Sequence, residues 1–399
     1  MNVLFLTISK FPDVEQYGIY TDLIRTFRDN GHNVYVVNPL ERRYQTQTNL
    51  KENKGIHILG VRTLNMQKCN FIEKGIGILL VGSQFKNAIK HYLGNIRFDL
   101  ILYSTPPITF TKAVKYVKQR DKAFTYLLLK DIFPQNAVDI NLIRSKGLLH
   151  RCFKYKEKQL YCVSDYIGCM SKANVDFVIK NNPYIKTDKV EVNPNSMELF
   201  EVKSKDKETI RGKYGLPLDR KIFIYGGNLG KPQAIDFIIE CMNANLNRQD
   251  CFFLIVGAGT EYYKLENWVD IAKPQNLKLI SYLPNEQYNE LLSCCDVGMI
   301  FLDYRFTIPN FPSRLLTYLN NRLPVLVSTD RSCDMGQIAE DNSFGFYSPS
   351  NDVSSFTQTI TKFINSDIPH MGDNAYRYLV DNYTVDRSYK EIVKHIQNK

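Results

Sequence analysis

The chain has 399 residues, of which 44% are apolar and 23% charged. This composition excludes a disordered or fibrous chain, and the length suits two hydrophobic cores better than one. No run approaches the roughly 20 apolar residues that cross a bilayer; the longest candidate, residues 75–82, falls far short. Nine cysteines without Cys-x-x-Cys spacing and six histidines without ligand spacing argue against a disulfide framework and against zinc. The expectation is a cytoplasmic protein with reduced thiols. The first residues, Met1 to Thr7, lack a charged leader region and a cleavage site, and read as a first β-strand rather than a signal peptide.

The net charge of +10 is uneven. Residues 1–200 carry 29 Lys and Arg against 17 Asp and Glu, whereas residues 201–399 carry 22 against 24. An excess confined to one half points to an anionic partner for that half, or to a solvated basic face.

In chain order, residues 3–7 form the first expected strand, followed by a loop holding Tyr17 and Gly18 and by Ile19, Leu23, Ile24 and Phe27 at helical spacing. Gly31 and His32 turn the chain into a strand at 34–37. Further strands are expected at 56–61, 100–103, 123–129, 166–170 and 190–192. Residues 203–213 are polar and read as a linker with a short helix, and the alternation then restarts. Strands are expected at 222–225, 252–256, 278–281, 297–301 and 325–327. Helices are expected at 234–242, at 285–294 with Asn285 as cap, and at 312–320 with Pro312 in its first turn. Alternation of this kind predicts an α/β fold of two Rossmann-like domains with parallel sheets, joined near residues 195–220. In such sheets ligands lie beyond the carboxyl ends of the strands, so a central cleft faced by both sheets is the expected active site.

Five segments carry candidate chemistry. An apolar strand runs into Gly226, Gly227, Asn228, Leu229, Gly230 and Lys231, and a helix follows. Glycines let the backbone approach a phosphate, and Lys231 adds a charge; the same pattern also serves as a plain tight turn. Gly257 and Gly259 follow another strand and form half of a dinucleotide fingerprint, which reads more readily as a turn. Around residues 310–317, Ser313 and Arg314 open a helix, and Thr317 lies one turn beyond Ser313 on the same face. Arg314 is placed to pair with phosphate oxygens, or else is a solvated side chain on a capped helix. Asp131 ends the strand 123–129, where a carboxylate accepts a proton from a hydroxyl or caps the next turn. Ser104, Thr105, Pro106 and Pro107 form a stiff loop at the same sheet edge. No two aspartates lie two residues apart, and there is no Gly-x-x-x-x-Gly-Lys-Ser/Thr loop. A nucleotide diphosphate must then be neutralised by helix ends and basic side chains rather than by a metal ion.

The order of these segments resembles the retaining glycosyltransferases of family 4, with the GT-B fold, and among them the bacterial fucosaminyltransferase-like branch of capsule and O-antigen synthesis. The marks are Gly18, Gly31 with His32, Asp131 through Pro134, Pro194 with Asn195, the 226–231 turn, Gly257 with Gly259, Tyr282 through Pro284, and Pro312 through Arg314. The resemblance implies an acceptor-binding domain at 1–195, a linker at 196–219, a nucleotide-sugar domain at 220–375, and a segment at 376–399 that returns to the first domain. It implies that the donor diphosphate meets Gly227, Asn228, Lys231, Ser313, Arg314 and Leu315, with Gly257 and Gly259 nearby. The base is implied near Ser281 and Leu283, the ribose near Thr317, and the acceptor near Tyr17, Gly18 and Thr105. Thr317 stands where many members carry a glutamate, and Pro309 stands at the earlier position of their Glu-x7-Glu pair. Asn228 and Gln233 replace the usual Arg and Lys of the glycine turn.

The implied activity is retaining, metal-independent transfer of a hexose or N-acetylhexosamine, from a UDP-linked donor, to a saccharide or polyprenyl-diphosphate-linked acceptor. No cofactor and no metal is implied. Lys231 and Arg314 would stabilise the departing diphosphate, and Asp131 is a candidate base. Residues 111–120 and 142–160 mix apolar and basic residues at helical spacing, a pattern suited to peripheral contact with an anionic inner membrane face. A non-catalytic partner subunit of the same fold and a sugar-nucleotide epimerase are the alternatives; nucleic-acid binding lacks any groove-reading motif.

Overall fold

The computed structural model describes residues 1–11, 13–66, 69–201 and 206–397. The chain divides into two compact units, Met1–Glu198 with Thr384–Lys399, and Leu199–Tyr383.

The first unit contains β1 (Asn2–Leu6), β2 (Asn33–Glu41), β3 (Asn49–Asn53), β4 (Ile56–Thr63), β5 (Leu100–Ser104), β6 (Phe124–Leu129), β7 (Tyr166–Cys169) and β8 (Val190–Val192). Their order is β3-β4-β2-β1-β5-β6-β7-β8, and every pair is parallel except β3 with β4. Interior strands such as β5 and β6 are buried on both faces and read as continuous apolar runs. β3 was not expected: its sequence, Asn-Leu-Lys-Glu-Asn, has no apolar alternation, and only its pairing along β4 makes it a strand. Helix Phe71–Tyr92 was hidden by its glycines. Gly82 has a packing reason, since a Cβ there would lie 2.1 Å from the carbonyl oxygen of Thr109. The helix thereby comes close enough for Phe85 to stack on Phe110, with centroids 5.3 Å apart.

The last helix, Val385–Gln397, adds Val385, Ile392 and Val393 to the core formed by β1, β5 and β6. Its attachment is also polar. Val385 N–H donates to Met197 O at 3.0 Å, Ser388 Oγ contacts Asn193 Oδ1 at 2.7 Å, and His395 lies 3.0 Å from Glu191 and stacks on Tyr166. The return to the first unit begins at Thr384 and not at Tyr376, because helix Ile368–Asn382 belongs to the second unit.

The second unit contains β9 (Lys221–Gly226), β10 (Cys251–Val256), β11 (Leu277–Ile280), β12 (Val297–Phe301), β13 (Val325–Thr329) and β14 (Gly345–Pro349). All pairs are parallel in the order β11-β10-β9-β12-β13-β14. The direction of winding reverses between β9 and β12, which makes their carboxyl ends the switch point where doubly wound sheets bind ligands. Two helix starts differ from expectation. Pro284, not Asn285, caps helix Asn285–Leu292. Helix Arg314–Asn320 begins two residues after Pro312, because the first bonds, Leu315 N–H to Pro312 O and Leu316 N–H to Ser313 O, span three residues and leave 312–313 as a turn. Of the expected linker, residues 202–205 lie outside the described residues, and helix Lys207–Lys213 follows them.

Candidate functional site

In the second unit, β9 ends at Gly226 and the chain turns through Gly227, whose φ of 133° is a conformation that favours glycine. The two glycine-rich turns are zipped together. Gly227 N–H donates to Val256 O, Leu229 N–H to Ala258 O, and Glu261 N–H to Leu229 O, at 2.9–3.0 Å. A Cβ on Gly257 would lie 1.9 Å from Gly227 O, and one on Gly259 would lie 2.2 Å from Leu229 O. Both glycines, expected as donor contacts, are therefore explained by packing of one turn on the other.

The positions where a basic pair was missed prove to be joined. Asn228 Nδ2 donates to Gln233 Oε1 at 2.9 Å, and Gly230 N–H reaches the same oxygen at 3.2 Å. Tyr225 donates its hydroxyl to Asn228 O at 2.6 Å. These bonds fix the loop's shape and leave exposed Lys231, which opens a short 3-10 turn, as its only cation.

Arg314 supplies charge from the other side of the switch point. Its guanidinium lies 4.3 Å over the Tyr225 ring, and its Nη2 is 3.2 Å from where a Cβ of Gly227 would stand. Its Nη1 is buried and has no hydrogen-bond partner among the described residues, and no carboxylate pairs with it. Phenols complete the surroundings. Tyr318 accepts a bond from Gly226 N–H at 3.0 Å and faces the carbonyls of Ile224 and Met299 at 3.3 Å. Gly298 of β12 makes room for this ring, since a Cβ there would lie 2.5 Å from it. The Tyr288 hydroxyl occupies the place that a Gly226 Cβ would need, at 1.8 Å. Burial pushes the Tyr318 hydroxyl up to about 12 and raises Tyr288 well above the usual phenol range, so both stay neutral and leave the guanidinium charge uncompensated. Asn310, on the loop leading to Arg314, also holds a buried amide nitrogen without a partner. Two unpaired donors four residues apart, the second beside the Gly227 turn, form a place for an anion.

The remaining donor candidates divide. Ser313 is exposed and caps its helix without a side-chain bond. Leu315 is buried, and its N–H is already bonded to Pro312 O at 3.3 Å, so it offers a ligand neither group. Thr317 is half-buried, and its carbonyl accepts from Asn321. Ser281 is exposed and Leu283 half-buried just beyond β11, two strand spacings, or roughly 10 Å, from the end of β9.

At the carboxyl edge of the first unit's sheet, Asp131 follows β6. Asn136 Nδ2 donates to its Oδ1 at 2.7 Å, yet burial outweighs that bond and raises the carboxyl from 3.8 to about 6. Thr105 is fully buried, a correction to its expected acceptor role. Its hydroxyl accepts the N–H groups of Lys130 and Asp131 at 3.1 and 3.2 Å and donates to Asp131 O at 3.0 Å, fixing the backbone that carries Asp131. Gly18 N–H is held by Asp22 Oδ1 at 2.9 Å, whereas Tyr17 is 58% exposed. The raised carboxyl has a consequence for stability. The folded state holds the Asp131 proton more tightly than the unfolded chain, a contribution complete below about pH 4 and lost as pH rises through about 6. Asp131→Asn is expected to stabilise the fold above about pH 6, by about 3 kcal/mol at most, with a higher melting temperature there, and to change nothing near pH 4. Thermal unfolding across that range measures it, and equal shifts at both ends would show that Asp131 is not perturbed.

Sequence reasoning missed the tyrosines. Tyr318 stood four residues after Arg314 on the same helix face, and Tyr225 stood beside the glycine turn, so both had a local signal. Tyr288 had none, being far away in the chain. Among the described residues, no group of three His, Cys, Asp or Glu side chains is gathered as metal ligands, and no helix is long and apolar enough to cross a membrane.

Residues 206–381, nearly all of the second unit, match the family described as glycosyl transferases group 1. WbjE of Pseudomonas aeruginosa, described as a glycosyltransferase, is 21% identical over 292 residues, covering 72% of each chain. WcaI of Escherichia coli K12, described as a colanic acid biosynthesis glycosyl transferase, is 22% identical over 359 residues, covering 85% of this chain and 86% of that one. Among solved structures, Anabaena HepE in complex with UDP superposes with a TM-score of 0.69 over 100% of both chains, at 13% identity.

Proposed function

We propose that this chain, a glycosyltransferase of the GT-B fold whose residues 206–381 match the group 1 family, moves a hexose or N-acetylhexosamine from a UDP-sugar to an acceptor in surface polysaccharide synthesis. The observation that carries this reading is Arg314: a half-buried guanidinium whose Nη1 is buried without a partner and which no carboxylate pairs, beside the Gly227 turn, at the sheet's switch point. Burying an unpaired cation is costly, and a diphosphate offset against it explains why it stands there. HepE, which shares the fold, is known in complex with UDP, and WcaI is described by colanic acid synthesis. Both support the donor and the pathway class.

The second unit takes the donor and the first takes the acceptor, a saccharide or a polyprenyl-diphosphate-linked one. The acceptor hydroxyl oxygen bonds to C1 of the donor sugar as the bond from C1 to the diphosphate oxygen breaks. The acceptor proton passes to the departing diphosphate, giving a glycoside with retained configuration and a nucleoside diphosphate. Arg314 and Lys231 stabilise the charge that builds on the leaving oxygen, in place of a metal ion. Asp131 orients the acceptor hydroxyl. Calorimetry with UDP, GDP and CDP, each without divalent metal, tests the donor reading. Binding of UDP in preference to the others is expected, and failure of all three to bind would sink it.

The basic face of the first unit supports contact with an anionic membrane. Helix Leu148–Val163 exposes Leu148 (86%), Leu149 and Tyr155 beside Arg151 and Lys158. Helix Thr111–Asp121 contributes less than its sequence implied, because Arg120 pairs with Asp121 at 2.6 Å and Lys118 with Asp165 at 2.7 Å. Flotation with anionic vesicles is expected to carry the protein up, and Leu148→Ser with Leu149→Ser to abolish it. Equal recovery with neutral vesicles would overturn the membrane reading.

A further inference from the structure

Lys130 is the first residue beyond β6, and its side chain plays no part in the scheme above. Its ammonium donates to Asn193 O at 3.2 Å, its one hydrogen bond among the described residues, and no carboxylate pairs with it. An ammonium carries three donors, so two remain. The residue that follows turns elsewhere: Asp131 is bound to Asn136 and stands near Tyr20. The titratable group that acts on Lys130 through its charge is Cys169 at the end of β7, a buried thiol whose own titration burial pushes far up, so it brings no counter-charge near neutrality. Burial holds the amine down to about 7.

A second group of opposite character lies along the same edge. Asn195, three residues past β8, is 7% exposed, and its Oδ1 has no hydrogen-bond partner among the described residues. The backbone at both places is held firmly: the Thr105 hydroxyl fixes residues 130 and 131, while Asn193 is tied to Tyr126 and Ser388 at 3.0 and 2.7 Å. Spare donors on Lys130 and a spare acceptor on Asn195, at the carboxyl edge of a parallel sheet, match a ligand with an anionic oxygen and a hydroxyl.

We propose that Lys130 forms a phosphoryl-binding site for the acceptor, which carries a phosphate or diphosphate next to the sugar that receives the glycosyl group, and that Asn195 Oδ1 accepts from a hydroxyl of that acceptor. The inference rests on the assignment of the acceptor to the first unit. A purely structural lysine would also explain the tie between β6 and Asn193, so the test separates the two roles. Inorganic pyrophosphate is titrated calorimetrically into the full-length protein, with and without saturating UDP. With UDP filling the donor site, wild type is expected to retain a pyrophosphate site; Lys130→Met loses it, and Lys130→Arg keeps most of it. Melting curves confirm that the variants are folded. Absence of pyrophosphate binding to the UDP-saturated wild type, or unchanged binding to folded Lys130→Met, overturns the proposal. The donor reading is judged separately by whether UDP itself binds. Asn195→Ala is expected to leave pyrophosphate binding nearly intact and to raise the KM for a glycosyl-phosphate acceptor without a matching loss of kcat.

Discussion

Arg314→Met is expected to weaken UDP binding by roughly 10- to 100-fold, the loss of a charged hydrogen bond worth about 1.5–3 kcal/mol. The ligand-free protein is expected to melt no lower, or somewhat higher. Two terms oppose each other in that second result. The variant loses the contact of the guanidinium with the Tyr225 ring, 4.3 Å away, worth about 2 kcal/mol. It also removes a cation whose Nη1 is buried without a partner, a burden of about 3 kcal/mol or more for an unsatisfied charged donor. The second term is the larger, so stability and binding move in opposite directions, as they do where a site holds a charge for its ligand. Arg314→Lys keeps the charge but not the planar fork, and its affinity falls between the two. Calorimetry and thermal unfolding on the same samples measure both effects. A variant that binds UDP like wild type would remove Arg314 from the site.

Gly257→Ala is expected to lower the melting temperature of the second unit by roughly 3–10 °C, from overpacking of about 1–3 kcal/mol. The added Cβ would lie 1.9 Å from Gly227 O and 3.0 Å from Gly227 C. Backbone is the neighbour here, and it is pinned by the bonds from Gly227 N–H to Val256 O and from Gly257 N–H to Ile280 O, so relief by a side-chain rotation is closed. Because Gly227 lies against Arg314, its displacement should also weaken UDP binding. Gly75→Ala is the contrast. No heavy atom lies within 4 Å of a Cβ there, and the residue is helical. That change is expected to stabilise by roughly 0.5–1 kcal/mol. Melting curves of both variants decide the matter, and similar small effects would show that the turns are not packed as described.

Several features were legible in the amino-acid order because their causes are local. Continuous apolar runs flanked by turns marked β5, β6, β10 and β12, since strands buried on both faces have no polar alternation to disguise them. The alternation of strands with helices determined the α/β class, and the glycine turn after β9 and the arginine of Pro312-Ser-Arg314 marked the likeness to glycosyltransferases. β3 and β14 were not legible, because an edge strand owes its existence to the strand beside it.

The tertiary structure decided what each marked residue does. Gly257 and Gly259 read as a turn that the resemblance set near the donor, and the fold uses their missing side chains to let two turns touch. Thr105 looked available, but its hydroxyl is spent on the backbone of Lys130 and Asp131. Leu315 lies in the core, and Asn228 is tied to Gln233. Conversely, Arg314 became the strongest cation of the site only because Tyr225, Tyr288 and Tyr318, drawn from three separate elements, surround it without neutralising it. A sequence pattern reports the backbone conformations and charges a segment can supply. Whether a donor is left unpaired depends on which distant groups the fold brings within hydrogen-bond reach, and that is fixed only when the strands and helices are packed.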